Sequence, residues 1–226
     1  MRYTASILAV IGIAICGLGG ALAARTETGQ AAAPAGAAKI ELGEGTKARY
    51  KVAERLVGVD FGTDAVGTTE GVTGTIVVKA DGSIDASQSK ITVDLRTLKS
   101  DQALRDLYLQ SSVLQTAKFP MLEFVPKRAV GMPFPLPLGS PIPNTKIVMP
   151  QAAGFKLIGD MTFHGVTKEV TWSLVSTISA DAVAGRATTT VSFATFGLTK
   201  PAVPLLASVE DNIQLEVEFR GKRSAM

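Results

Sequence analysis

The chain has 226 residues, with 23 Lys and Arg against 20 Asp and Glu, one His and one Cys. The basic residues are scattered among carboxylates without a long run, which argues against a nucleic-acid footprint. A single Cys and a single His argue against a zinc site and leave at most one imidazole base for acyl chemistry.

The first stretch, MRYTASILAVIGIAICGLGGALA, carries one Arg, then apolar and small residues, then Ala21-Leu22-Ala23. This pattern predicts a signal peptide cleaved after Ala23. Its four glycines and small-residue ending disfavour a retained anchor, and Ile15 before Cys16 departs from a lipid-attachment box. Cleavage removes Cys16, so the exported chain could form no disulfide and no thiolate. Residues 24–38, ARTETGQAAAPAGAA, have no apolar period to pack and read as a flexible tether. The folded domain is expected over residues 39–222.

From Lys39 onward, short stretches rich in Val, Ile, Thr and Phe alternate apolar with polar residues between Gly, Asp and Pro signals. Strands are expected at Ala48–Phe61, Gly74–Lys79 and Ile91–Arg96, with a tight turn at Asp81-Gly82. One helix is expected at Ser100–Gln110, with Ser100 as N-cap and Asp101 and Arg105 four apart on one face. Met121–Pro126 is the next strand. Residues 131–154, GMPFPLPLGSPIPNTKIVMPQAAG, hold six prolines and cannot form a continuous ladder. They read as a long loop whose Phe134, Leu136, Leu138 and Ile142 would expose apolar surface. Phe155–His164, Val170–Leu174, Arg186–Phe196 and Asn212–Arg220 follow as strands. In the last, Ile213, Leu215, Val217 and Phe219 share one face.

The class is therefore all-β, with about eight antiparallel strands and one short helix, and that number can close into a barrel. Periodicity alone does not separate a barrel from a sandwich. Catalytic patterns are missing: there is no Gly-x-Ser-x-Gly elbow, no phosphate-cradling Gly-rich loop and no dinucleotide fingerprint. His164, in Phe-His-Gly-Val-Thr, reads as a turn-stabilising or hydrogen-bonding residue. No enzyme activity, cofactor, metal or nucleic-acid partner is expected.

Five ordered pieces carry a resemblance. They are Ser89–Leu98 (SKITVDLRTL), Arg105-Asp106 with Leu109, Lys118-Phe119-Pro120 with Glu123-Phe124, Gly159-Asp160 with His164–Lys168, and Val209–Leu215. The chain resembles the YceI-like family over roughly Arg49–Phe219. The resemblance implies an exported, periplasmic or secreted, lipocalin-like eight-stranded barrel, its helix covering one end, that holds a polyisoprenoid or acyl lipid without turnover. This chain has Tyr108 where the family usually has His, Val113-Leu114-Gln115 in place of Asp-Phe-Phe, and Tyr50-Lys51-Val52-Ala53-Glu54 in place of the usual opening.

A lipid needs a dry cavity with a few polar groups at its mouth. Candidate lining residues are Phe119, Phe124, Phe155, Met161, Phe163, Trp172, Phe193 and Phe196, with Arg105 and Tyr108 at the mouth. A guanidinium can pair with phosphate and a phenol can hydrogen-bond it, although Arg105 could equally pair with Asp101 or Asp106. The alternative is an envelope interaction module whose barrel is filled and whose Pro-rich insert docks a protein partner. A hydrolase centred on His164 is the third reading. Oligomeric state is open.

Overall fold

A computed structural model describes residues 36–134, 136, 140, 141, 148, 149, 151–204 and 206–226. The signal-peptide reading, most of the tether, and Leu138 and Ile142 lie outside the described residues. The strands are β1 (Ala38–Leu42), β2 (Lys47–Leu56), β3 (Thr63–Thr69), β4 (Val72–Val78), β5 (Lys90–Asp94), β6 (Lys99–Ser100), β7 (Met121–Val130), β8 (Ser140–Pro141), β9 (Val148–Met149), β10 (Gln151–Phe163), β11 (Val166–Ile178), β12 (Ala182–Ser192) and β13 (Leu206–Ala225). The one α-helix among the described residues, α1 (Ala103–Tyr108), runs on into a π-helical turn at Leu109–Val113.

Three pairs of these strands are single strands broken in the middle. Leu42 of β1 faces Gly221 and Lys47 of β2 faces Glu218, so both lie along one edge of β13. Likewise β4 pairs with β1 and β3 with β2, while β5 pairs with β4 and β6 with β3. β8 and β9 pair only with each other, in a separate sheet; counting each broken pair once leaves eight strands in the main sheet, each bonded to its neighbours in order, and the β13 pairing with β1 and β2 closes the ring. The result is an eight-stranded antiparallel up-and-down barrel, a closed form that leaves no long edge exposed.

The three breaks lie side by side and crease the wall. At the first, the buried Thr46 hydroxyl donates to the Arg220 carbonyl at 3.0 Å and accepts from its N–H at 3.1 Å, so a side chain supplies the missing ladder bonds. At the second, Thr69 Oγ1 accepts from the Gly71 N–H and bonds Thr97 Oγ1. At the third, a 3₁₀ turn at Leu95–Thr97 is capped by Asp94, whose carboxylate accepts from the Arg96 N–H.

Side chains alternate as the period requires. Along β2, Lys47, Arg49, Lys51, Ala53 and Arg55 are exposed, while Ala48, Tyr50, Val52, Glu54 and Leu56 turn inward. On β11, Val170, Trp172, Leu174, Ser176 and Ile178 are buried. On β13, the inward set is Ile213, Leu215, Val217 and Phe219, as the sequence predicts. A bulge interrupts β7 against β10: Arg128 faces Ile158 but Pro126 faces Gly159, leaving Lys127 extra. Proline, which has no N–H to donate, sits where the ladder is already broken.

Several boundaries differ from expectation for local reasons. The strand expected to reach Phe61 ends at Leu56, because Gly58 takes a positive φ of 78° and starts a turn. Strands β1 and β3 have no sequence counterpart in the reading above; β3, TDAVGTT, carries too few large apolar residues to show its period, and β1 starts inside the stretch read as tether, with Ala38 fully buried. The helix begins at Ala103 with Gln102 at its cap, not at Ser100. Ser100 instead pairs in β6, and its N–H and hydroxyl both donate to Asp106 Oδ1, at 2.8 and 2.7 Å. Finally, β12 stops at Ser192, and Ala194–Phe196 form a 3₁₀ turn closed by Gly197 at φ 65°.

Candidate functional site: a one-ended apolar cavity

The inward faces enclose a cavity of about 500 Å³. That volume lies within the range of roughly 300–1,000 Å³ typical of small-molecule sites. Its wall is almost wholly aliphatic and aromatic, drawn from all eight composite strands. At one end, Leu136, Ile178 and Val183 line it and are fully buried. At the other, the lining includes Leu104, 82 % exposed, and Val203, at 36 %. The cavity is thus closed at the first end and reaches solvent at the second, beside α1.

The closed end involves the Pro-rich insert. Leu136 is not presented to solvent, as its composition suggests, but packs with Ala38, Ile178 and Val183 as a stopper. Phe134, partly exposed, lies over the turn at Gly82, whose positive φ of 84° and missing Cβ leave room for the ring.

The open end is held by charge. Arg105 on α1 donates to Glu54 Oε1 of β2 at 2.9 Å and to Asp101 Oδ1 at 2.5 Å. Of the sequence alternatives for Arg105, the Asp101 pair is present and Asp106 is committed to Ser100. Glu54 is the residue that sequence reasoning missed. Its side chain is only 9 % exposed, and it occupies an inward position on β2. The signal was legible: a carboxylate on the same parity as Ala48, Tyr50, Val52 and Leu56 breaks the apolar stripe at one position.

Tyr50 shares the inward face of β2 with Glu54, and its ring is seated over Gly67, which pairs with Ser100; any Cβ there would lie 2.3 Å from Tyr50 Cε1. Its hydroxyl is buried with no hydrogen-bond partner among the described residues. Burial pushes the phenol up to about 12, against a smaller opposing pull from Arg105. Trp172 Nε1 and Ser176 Oγ, also on the cavity wall, are buried and unpartnered in the same way.

The expected lining residues divide into two groups. Phe124, Phe155, Phe163, Trp172 and Phe193 line the cavity, and Arg105 and Tyr108 sit at its open end. Phe119, Met161 and Phe196 do not line it. Phe119 packs against the His164 ring, tilted by 56° with centroids 4.4 Å apart, because it falls in the connection before β7 and not on an inward strand face. Met161 and Phe196 are completely buried in solid core, Phe196 against Phe163 at 5.6 Å. His164 occupies the β10–β11 turn at φ 50°, followed by Gly165 at φ 76°; its Nε2 is buried without a partner among the described residues. No cluster of potential metal ligands occurs among the described residues, and no described helix is long and apolar enough to cross a membrane.

Comparison with known proteins agrees with this architecture. The YceI-like domain model matches residues 44–220. The chain belongs to the YceI-like family. Among solved structures, this YceI-like barrel is similar to a polyisoprenoid-binding domain from Saccharophagus degradans, at TM-score 0.56 and 9 % identity, covering 83 % of this chain and 98 % of that one. It is also similar to BcnA from Burkholderia cenocepacia, at TM-score 0.53 and 11 % identity, covering 80 % and 96 %. At such identities the likeness concerns the fold. No curated protein matches the sequence.

Proposed function

We propose that this YceI-like protein is an exported carrier that takes one long apolar amphiphile, a polyisoprenoid or acyl lipid, into the barrel and releases it unchanged. The observation that carries this reading is the cavity itself: about 500 Å³, apolar along its length, closed at the Leu136 end and open beside Arg105. A water-filled volume with such walls is unfavourable, and a hydrocarbon chain removes the penalty. Each buried methylene contributes about 0.8 kcal/mol, so ten supply roughly 8 kcal/mol toward the ordering costs of binding. The polyisoprenoid-binding domain of Saccharophagus degradans supports the choice of ligand class. The sequence of residues 1–23 supports export, and the scarcity of nucleophiles and bases around the cavity supports binding without turnover.

The test is to express the full chain with its own leader, purify the product without detergent, and measure its mass under native conditions before and after organic extraction. A co-purifying apolar adduct that extraction removes is the expected result. A clean protein mass that persists after incubation with isoprenoid and acyl lipids would overturn the carrier reading.

A further inference from the structure

From the mouth cluster we infer that the site selects an amphiphile with an uncharged headgroup bearing a hydrogen-bond-accepting oxygen, and rejects phosphate, sulfate and carboxylate headgroups. The inference rests on the carrier reading and names the headgroup class that reading leaves open. Two cations line the cavity: Arg49 pairs with Glu216, and Arg105, on α1, already donates to two carboxylates. It bridges Glu54 and Asp101, while Asp106 on the same helix takes two donors from Ser100.

An anionic headgroup reaching Arg105 would compete with Glu54 and Asp101 for one guanidinium and lie against both of their carboxylates, one of them, Glu54, only 9 % exposed. At this mouth the two carboxylates of Glu54 and Asp101 outnumber the one guanidinium they share. A cationic headgroup is drawn by that excess of carboxylate but has to leave water for a wall whose unpaired groups are donors, and the Trp172 indole N–H accepts nothing from an ammonium.

What the cavity does offer is donors. The Tyr50 hydroxyl and the Trp172 indole N–H are both buried on the wall without a partner among the described residues, and Tyr50 faces Gly67, which pairs with Ser100 just before α1. A buried donor without a partner is costly, and an ether, ester, ketone or alcohol oxygen entering with the chain would satisfy it. Gly67 keeps the Tyr50 ring in that place.

Four probes with the same C18 chain separate the possibilities: oleyl alcohol, methyl oleate, oleyl sulfate and oleylamine. Binding to the delipidated full-length product is read from the fluorescence of Trp172, the sole tryptophan. The alcohol and the ester are expected to bind more tightly than the sulfate and the amine by about tenfold or more. Glu54→Gln is expected to shrink the sulfate-to-alcohol gap, and Tyr50→Phe to weaken the ester by about fivefold. Sulfate or amine binding as tight as the alcohol would overturn the headgroup inference and leave the carrier reading intact. Failure of all four probes would overturn both.

Discussion

Tyr50 illustrates how one side chain can be poor for stability and useful for a site. Its hydroxyl is desolvated without a partner, which costs about 1–3 kcal/mol. Tyr50→Phe is therefore expected to raise the stability of the empty barrel by about 1 kcal/mol in urea melts while weakening a bound acceptor. The phenol also fixes a pH dependence. Its folded value, raised to about 12, exceeds the unfolded value near 10, so its contribution is fully present below pH 10 and is lost as pH rises toward 12. Denaturation between those limits should be shallower in Tyr50→Phe than in wild type; identical profiles would refute the assignment. Gly159 makes the complementary case in the wall. A Cβ there would sit 2.2 Å from the Val125 carbonyl oxygen, a backbone atom fixed by the β7 bulge. Gly159→Ala is expected to cost about 1–3 kcal/mol, and a cost near zero would show that the bulge relaxes.

At the scale of elements, α1 and the insert close the barrel by different means. α1 is six residues long, buries none of them fully and carries no side-chain N-cap, so it is held by the Arg105 ion pairs, by the two Ser100 bonds to Asp106, and by Tyr108 with the adjoining Leu109 against the core. Arg105→Ala leaves Glu54 unpaired and should cost about 1–3 kcal/mol. The same change should speed amide exchange across 103–109, the signature of a loosened mouth. The stopper at the far end is apolar and tight. Leu136→Ala should cost about 2–5 kcal/mol, the usual loss at a closed core site. Leu104→Ala, at an exposed position, should fall within about 0.5 kcal/mol of wild type in the same melt. Equal effects would refute the distinction between the closed and open ends.

For the whole molecule, the question is whether the interior is space to be filled by cargo. Ala187 is buried and lines the cavity. Ala187→Phe would place a ring in that space with no charge introduced, so uptake of oleyl alcohol should be lost while the melting temperature is held or raised. Lost folding instead would mean the space is not available to a side chain. Trp172 reports the outcome directly, since it packs edge-on to Phe124 at 6.1 Å on the cavity wall.

The sequence by itself determined the all-β class, the strands with strong alternation such as Asn212–Arg220, and the single helix segment, because the period of a half-buried strand is written in residue type. Of the ten candidate site residues, Arg105, Tyr108, Phe124, Phe155, Phe163, Trp172 and Phe193 lie at the cavity or its mouth in the folded chain. Tertiary structure decided the rest. Whether an inward aromatic meets open space or another side chain depends on residues far away in sequence, which is why Met161 and Phe196 became core. The ion pair between Glu54 and Arg105 spans 51 positions and forms only when α1 returns over β2. Leu136, one apolar residue in a proline-rich run, became a stopper because the barrel end offers Ala38, Ile178 and Val183 as its seat. Local alternation specifies which face of a strand is apolar; ring closure alone brings eight such faces round a common space and sets which end of it opens.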